Sequence, residues 1–450
     1  MGDWRDIDEE EGERVPSNRL ERMLKIGSMG ASVGISSVAS KLRSYLPFGE
    51  KEVREERLKE AFEKNAEHVA EVLGNLKGAS MKVGQLLSAD PELLPDEFSD
   101  VISSLQRDAP PMTYETVVEQ IEGALGRDIE TIFSYFDPEP IGAASIGQVH
   151  RGRLEGGREV AVKVQYPGVA DALESDLRTL RQMLVYARVV IDKERLDEYL
   201  AEVRDIVLTE ADYENEAWNM DDFSDILDER EGIRSPRPVE KWTSRQVLTM
   251  EYVEGEKLDD ALAERDEETR TRLLRRWMSM FSWLFHEKLY LHADPHPGNF
   301  LLDDDDVMWV LDFGCVKKFD AEFADGVLEI LVACWQEDDE RAVEIYKRLG
   351  FSADEADIDD IDPGMLRDYH EIILAPFLTE GPFDFSDWNP TLRAKKFMLT
   401  HPSFLKLVPP KDALLYLRVL SGIKGLLRKM GATVDAREVA EETARRRGLV

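Results

Sequence analysis

Three residues stand at the spacing of a phosphoryl-transfer centre: Asp294, Asn299 five positions on, and Asp312 thirteen residues beyond that Asn. Asp294 lies in His292-Ala293-Asp294-Pro295-His296-Pro297-Gly298-Asn299, and Asp312 opens Asp312-Phe313-Gly314. In such a centre a loop carboxylate accepts or orients the proton of the attacking hydroxyl. The Asn and the later Asp hold the Mg²⁺ ions that bridge the nucleotide phosphates. The offsets therefore assign Asp294 as base or orienting carboxylate, and Asn299 and Asp312 as metal ligands. ATP (or ADP) and Mg²⁺ are the cofactors implied. His292 is expected to brace the loop rather than to transfer protons.

A centre of this kind belongs to a kinase-type fold, which needs a phosphate-covering loop and a lysine upstream. Ile141 to Val149 fits the Gly-x-Gly-x-x-Gly-x-Val template except that Ala144 replaces the middle glycine. Gly142, Ala143, Ala144, Ser145, Gly147 and Val149 are thus the expected nucleotide-loop residues. Lys163 follows in Ala161-Val162-Lys163, within a valine-rich run that reads as buried, so its charge requires a partner. Glu210 to Asn219 supplies candidates, and Glu216 is assigned to the lysine. Glu210 and Asp212 are then left for a metal or another cation, the alternative being a solvated acidic helix face. Met250, Glu251 and Val253, at the end of the strand-like run from Gln246 to Tyr252, complete the nucleotide-binding set.

The elements that must position these residues follow from periodicity. Residues 1 to about 20 are charged and turn-like. Glu52 to Leu87 shows helical spacing, Tyr114 to Leu125 and Ile129 to Tyr135 read as short helices, and Ile141 to Leu154 and Arg158 to Gln165 read as strands joined by Glu155-Gly156-Gly157. Helical patterns resume over Ala170 to Val190 and Glu194 to Leu227, and Thr269 to Glu287 leads directly into the catalytic loop. After Gly314 only helical patterns are predicted: Phe323 to Gln336, Asp339 to Leu349 and Lys411 to Met430. The expected fold class is α+β, bilobal and kinase-like. Residues 1–50 form a flexible or membrane-peripheral segment, 51–135 a helical extension, 136–253 an N-lobe with inserted helices, 254–345 the C-lobe core and 346–450 a helical C-terminal extension.

The formal charge of −35 is spread along the 450 residues, which argues against a general nucleic-acid-binding role. Acidity this pervasive reads as adaptation to high salt, since at about 1 M the screening length falls to roughly 3 Å. Asp303 to Asp306 lies between two apolar runs and is expected to be a hairpin turn rather than a metal site. Cys315 and Cys334 are too few for a disulfide framework, and no signal peptide is evident, so a reducing, cytoplasmic location is expected. No run of eighteen strongly apolar residues exists. Ile26 to Leu46, nearly uncharged and containing Gly27, Gly30 and Gly34, fits a linker and a peripheral contact at the inner face of the cell membrane equally well.

These motifs together resemble the ABC1/ADCK/UbiB (AarF) family of atypical protein-kinase-like proteins. Lys82-Val83-Gly84-Gln85 matches its Lys-x-Gly-Gln motif, Ala143-Ala144-Ser145 its alanine-rich loop and Glu210-Ala211-Asp212 its Glu-x-Asp motif; His292 to Asn299 with Asp312 match its catalytic and metal-binding loops. The resemblance implies that the helix bearing Lys82 and Gln85 folds over the active site, Lys82 approaching the carboxylates of Glu210 and Asp212. It also implies a role in isoprenoid quinone biosynthesis or lipid homeostasis, with a small-molecule or lipid acceptor. Ala144 disfavours the positive φ that glycine allows, and no Ala-Pro-Glu block follows Gly314. Both features count against phosphorylation of proteins. Two other readings are a nucleotide-sensing scaffold without phosphotransfer and a protein kinase suppressed by these motifs.

Overall fold

A computed structural model describes residues 111–144, 146–169, 211–351, 361–401 and 409–450, with single positions at 204, 208, 209, 404 and 407. Lys82, Gln85, Ser145 and Glu210 lie outside the described residues, as do the helix expected over Glu52 to Leu87 and the segments 1–50 and 171–203. The chain divides into two compact units. One takes residues up to 155 together with 162–211, and the other 156–161 with 212–450.

The first unit opens with α1 (Tyr114–Leu125). The Thr113 side chain caps its N-terminus, and Gly126 ends it at φ 64°. That left-handed conformation is one glycine adopts without a Cβ penalty. Val117 and Ile121, four apart on the inner face, are fully buried. β1 (Phe133–Ala144) then pairs antiparallel with β2 (Gly147–Leu154). Ile129 to Tyr135 is therefore not a helix: a 3-10 turn at Ile129–Thr131 gives way to strand at Phe133. Cross-strand pairing and the contact of Phe133 with Phe136, ring centroids 5.2 Å apart, override the weak local helical preference. The continuous strand expected from Ile141 to Leu154 is likewise two strands, reversing between Ala144 and Gly147. Register shifts flank Pro140, where the ring removes a ladder donor.

β3 is Glu159–Gln165 and β5 is Val247–Glu251. In the second unit, Tyr252 N–H donates to Glu159 O at 3.4 Å. α2 (Tyr213–Leu227) starts only after a turn at Ala211, so the helix expected from Glu194 to Leu227 does not run through Asp212, which is its N-cap. A second sheet, β4-β9-β8-β6, comprises Ile233–Arg234, Met308–Val310, Phe300–Leu302 and Glu256–Lys257. Its central hairpin turns through Asp303 to Asp306 as expected. The Asp303 carboxylate accepts from Asp305 N, Val307 N and Trp309 Nε1, and Arg272 pairs with Asp306.

α3 (Leu258–Glu264) and α4 (Glu267–His286) follow, α4 being capped by Asp266 and burying Leu273, Leu274, Trp277, Phe281 and Leu284. Beyond Gly314 the structure is not purely helical. β10 (Val316–Lys318) pairs with β7 (Tyr290–His292), and β11 (Phe383–Asp384) with β12 (Thr433–Val434). Strands of two or three residues are set by their partner rather than by periodicity, which is why the pattern hides them. The remaining helices are α5 (Ala321–Trp335), α6 (Asp339–Arg348), α7 (Pro363–Ile373), α8 (Ala375–Leu378), α9 (Pro390–Thr400), α10 (Lys411–Lys429) and α11 (Ala436–Arg447). Cys315 and Cys334 are free thiols. Among the described residues no helix is long and apolar enough to cross a membrane.

Candidate active site

The catalytic loop is built by backbone contacts before any side chain acts. α4 ends at His286, and the chain turns through Leu289, whose φ of 60° is sparsely allowed for a residue with a Cβ. Phe319 N–H donates to Leu289 O at 2.8 Å and holds that turn. β7 then pairs with β10, His292 opposite Val316, and Ala293 N–H donates to Cys315 O at 2.8 Å. Further on, Leu311 N–H donates to Asn299 O at 2.9 Å. Asp294 thus follows β7 and Asp312 precedes β10, the strand that pairs with β7, so both lie within one hydrogen-bonded frame.

Side chains then fix the polar groups. His292 is 1% exposed, and its Nε2 lies 2.6 Å from Asp312 O. That contact makes Nε2 the donor and confirms a bracing geometry. Asn299 donates from Nδ2 to Asp294 O at 3.2 Å, which commits its amide nitrogen and leaves Oδ1 as the atom suited to a cation. Gly314 N–H donates to Asp312 Oδ1 at 3.1 Å and orients that carboxylate. His296 is exposed, and its Nδ1 accepts from Gly298 N–H at 3.1 Å, so that nitrogen serves the turn.

Asp-Phe-Gly is clamped by one face of α2. Phe313 is fully buried, its ring 5.3 Å from Phe223 and 5.8 Å from His292. Its N–H donates to Glu216 Oε1 at 3.4 Å, and its carbonyl accepts from Asn219 Nδ2 at 3.1 Å. Residues 216, 219 and 223 share a helix face. Glu216 is 0% exposed, an environment in which a carboxylate requires partners. Asp222 adds a bond from Tyr290 OH at 3.0 Å. The sequence reading assigned Glu216 but missed Asn219, whose signal was its place one turn along the same face. Asp212 accepts from Glu214 N–H and pairs with Arg245 at 3.4 Å, so its cationic neighbour here is a guanidinium.

The other expected nucleotide residues fall as follows. In the first unit, Gly142, Ala143, Ala144, Gly147 and Val149 form the turn end of the β1–β2 hairpin, with Ala143 opposite Gln148 and Ala144 opposite Gly147. Lys163 is 4% exposed within β3, as its valine-rich context requires. In the second unit, Met250 and Glu251 close β5, and Val253 lies just beyond.

Asn299 and Asp312 offer hard oxygen donors, which suit Mg²⁺. Among the described residues no group of three His, Cys, Asp or Glu side chains could by itself hold a metal. That is consistent with Mg²⁺ chemistry, where one or two protein oxygens act together with substrate phosphates.

Residues 104–346, more than half of the chain, match the ABC1 atypical kinase-like domain. The chain belongs to that family. Among its ABC1 relatives, the atypical kinase coq-8 of Caenorhabditis elegans is 28% identical, covering 97% of this chain and 58% of the relative. Atypical kinase COQ8 of Saccharomyces cerevisiae is 27% identical, over 95% of this chain and 85% of the yeast protein. A chloroplastic Activity of BC1 Complex Kinase 8 from Arabidopsis thaliana is 34% identical over 60% of this chain and 36% of its own length. The chain therefore spans between about a third and most of the length of these relatives. A solved structure, Rv3197 of Mycobacterium tuberculosis in complex with erythromycin, superposes with TM-score 0.61 at 26% identity, covering 87% of this chain and 98% of that one. An α+β kinase-like ABC1 fold is thereby established.

Proposed function

We propose that this kinase-like protein is an Mg²⁺-dependent nucleotide-using enzyme, an ATPase or a phosphotransferase to a small-molecule or lipid acceptor. The observation that carries the reading is the placement of Asp294, Asn299 and Asp312 within one backbone-bonded frame, braced by His292 at 2.6 Å from Asp312 O. Asp294 orients the acceptor hydroxyl, or a water, and receives its proton. Asn299 and Asp312 would hold Mg²⁺, which when bound neutralises charge on the phosphates. Lys163 and the Gly142–Val149 hairpin are the proposed nucleotide contacts of the first unit, and Met250, Glu251 and Val253 those of the second. Glu216 supports both Phe313 and, on the sequence reading, Lys163.

A non-protein acceptor is supported by the short path from Gly314 to α5. Val316–Lys318 is consumed in pairing with β7, and α5 begins at Ala321. A docked peptide would find little extended backbone there. Lys82, Gln85, Glu210 and Asp212 are proposed to restrict access further. Membership of the ABC1 family favours a place in isoprenoid quinone biosynthesis or lipid homeostasis, and the proposed location is the cytoplasm or the inner face of the cell membrane.

The test supplies purified protein with Mg²⁺ and γ-labelled ATP, offering in turn no acceptor, lipid vesicles, a phenolic quinone precursor and a generic protein substrate. Hydrolysis or label in the non-protein acceptor is expected. Preferential labelling of the protein substrate would overturn the acceptor class, and binding without any turnover would favour a nucleotide-sensing scaffold.

A further inference from the structure

The catalytic loop carries no cation of its own, since no Lys or Arg occurs between His292 and Asn299. One is delivered from α10, far down the chain. Arg418 Nη2 lies 3.6 Å from Asp294 Oδ1, with the side chains only 10% and 18% exposed. Its other terminal nitrogen, Nη1, is buried with no hydrogen-bond partner. A guanidinium left partly unsatisfied in a desolvated place is costly unless a charge compensates it. Asp294 is such a charge. Two pure stability solutions, an apolar residue or a fully bonded arginine, are absent here, and departures of that kind concentrate where chemistry is done.

The helix is fixed well enough to aim the group. Tyr416 stacks on Phe285 of α4 at 4.6 Å, and Lys317, paired within β10 to Leu291 of β7, bonds Asp412 at 2.9 Å. One turn beyond Arg418, a Cβ on Gly422 would collide with the ring of Pro295, the residue after Asp294. Gly422 is therefore what lets α10 lie directly on the loop. At its far end Lys429 pairs with Asp259 at 2.8 Å.

We propose that Arg418 is a positioning residue for Asp294: α10 supplies a fixed positive charge that holds the catalytic carboxylate in place. The inference rests on the assignment of Asp294 made above. Arg418 acts through Asp294, so its loss alters the chemical step more than nucleotide affinity.

Steady-state nucleotide turnover, nucleotide binding by calorimetry and amide hydrogen exchange would be measured on the full chain for Arg418→Met, Arg418→Lys, Lys429→Met and Asp294→Asn. For Arg418→Met a loss in kcat of about tenfold to hundredfold is expected, with KM and binding changed by less than about threefold. Exchange at the amides of Ala293 and Asn299 should quicken in the absence of nucleotide. Arg418→Lys should recover part of the rate, because it restores charge without the planar fork. Lys429→Met, which loosens only the far end of the helix, should retain both rate and loop protection. Native kcat in Arg418→Met beside a crippled Asp294→Asn would overturn the proposal, as would an equal loss in Lys429→Met. Native kcat in Asp294→Asn would instead overturn the underlying assignment of the site.

Discussion

Two clusters of chemically capable side chains lie in the second unit. Around Asp294, three oxygen-bearing side chains and a histidine are fixed largely by backbone partners, and the Asp294 carboxylate stays 18% exposed. Around His370, a cysteine, a tyrosine and a histidine bond one another: Cys334 Sγ lies 3.2 Å from Nδ1 and Tyr346 OH 3.0 Å from Nε2. Listing residue types alone would make the second cluster look the more nucleophilic. Burial decides otherwise. It pushes the Cys334 thiol up to about 12, raises the Tyr346 hydroxyl further from ionisation, and lowers His370 to about 4. At neutral pH that cluster is a satisfied, uncharged network, a stability element rather than a site. A phosphoryl-transfer centre needs groups that remain reachable while their backbone is locked.

The contrast is sharpest at the proposed metal ligands. Asp312→Asn should lower nucleotide turnover by about 10²- to 10³-fold and weaken Mg²⁺-dependent nucleotide binding, read by calorimetry with and without Mg²⁺, while leaving the melting temperature near that of the native protein. A smaller effect should appear on the stability side. His286 and His370 are each lowered by burial from 6.5 to about 4. The unfolded chain takes up these protons below pH 6.5 and the folded chain does not until about pH 4. Stability is therefore full above pH 6.5 and declines as pH falls through that window, by up to roughly 3 kcal/mol per histidine. Denaturant midpoints measured from pH 7 to pH 4 check this, and a flat profile would remove the buried-histidine account.

Much of this was legible in the sequence because local signals agreed with the fold. Thr113 and Gly126 mark both ends of α1, which spans the predicted Tyr114 to Leu125. Asp303 to Asp306 turns between two strands, and the helix expected to lead into the loop is found at Glu267–His286. The candidate site residues Asp294, Asn299 and Asp312 are close in sequence, so spacing alone could propose them. What stayed hidden depends on distant partners. β1 reads as helix at its start because only pairing with β2 makes it a strand, and β10 to β12 are too short to show a period. Arg418 looks like any solvated helix arginine until the fold lays α10 on Pro295.

The most direct measurement compares Asp294→Asn with Tyr346→Phe, recording nucleotide turnover per folded molecule and the free energy of unfolding for each. Asp294→Asn should lose about 10²- to 10⁴-fold in turnover with near-native stability. Tyr346→Phe should keep its rate and lose about 1–2 kcal/mol of stability by leaving a buried hydrogen-bond partner unmade. The reverse pattern, with turnover surviving in Asp294→Asn and abolished in a folded Tyr346→Phe, would contradict the assignment of the catalytic loop.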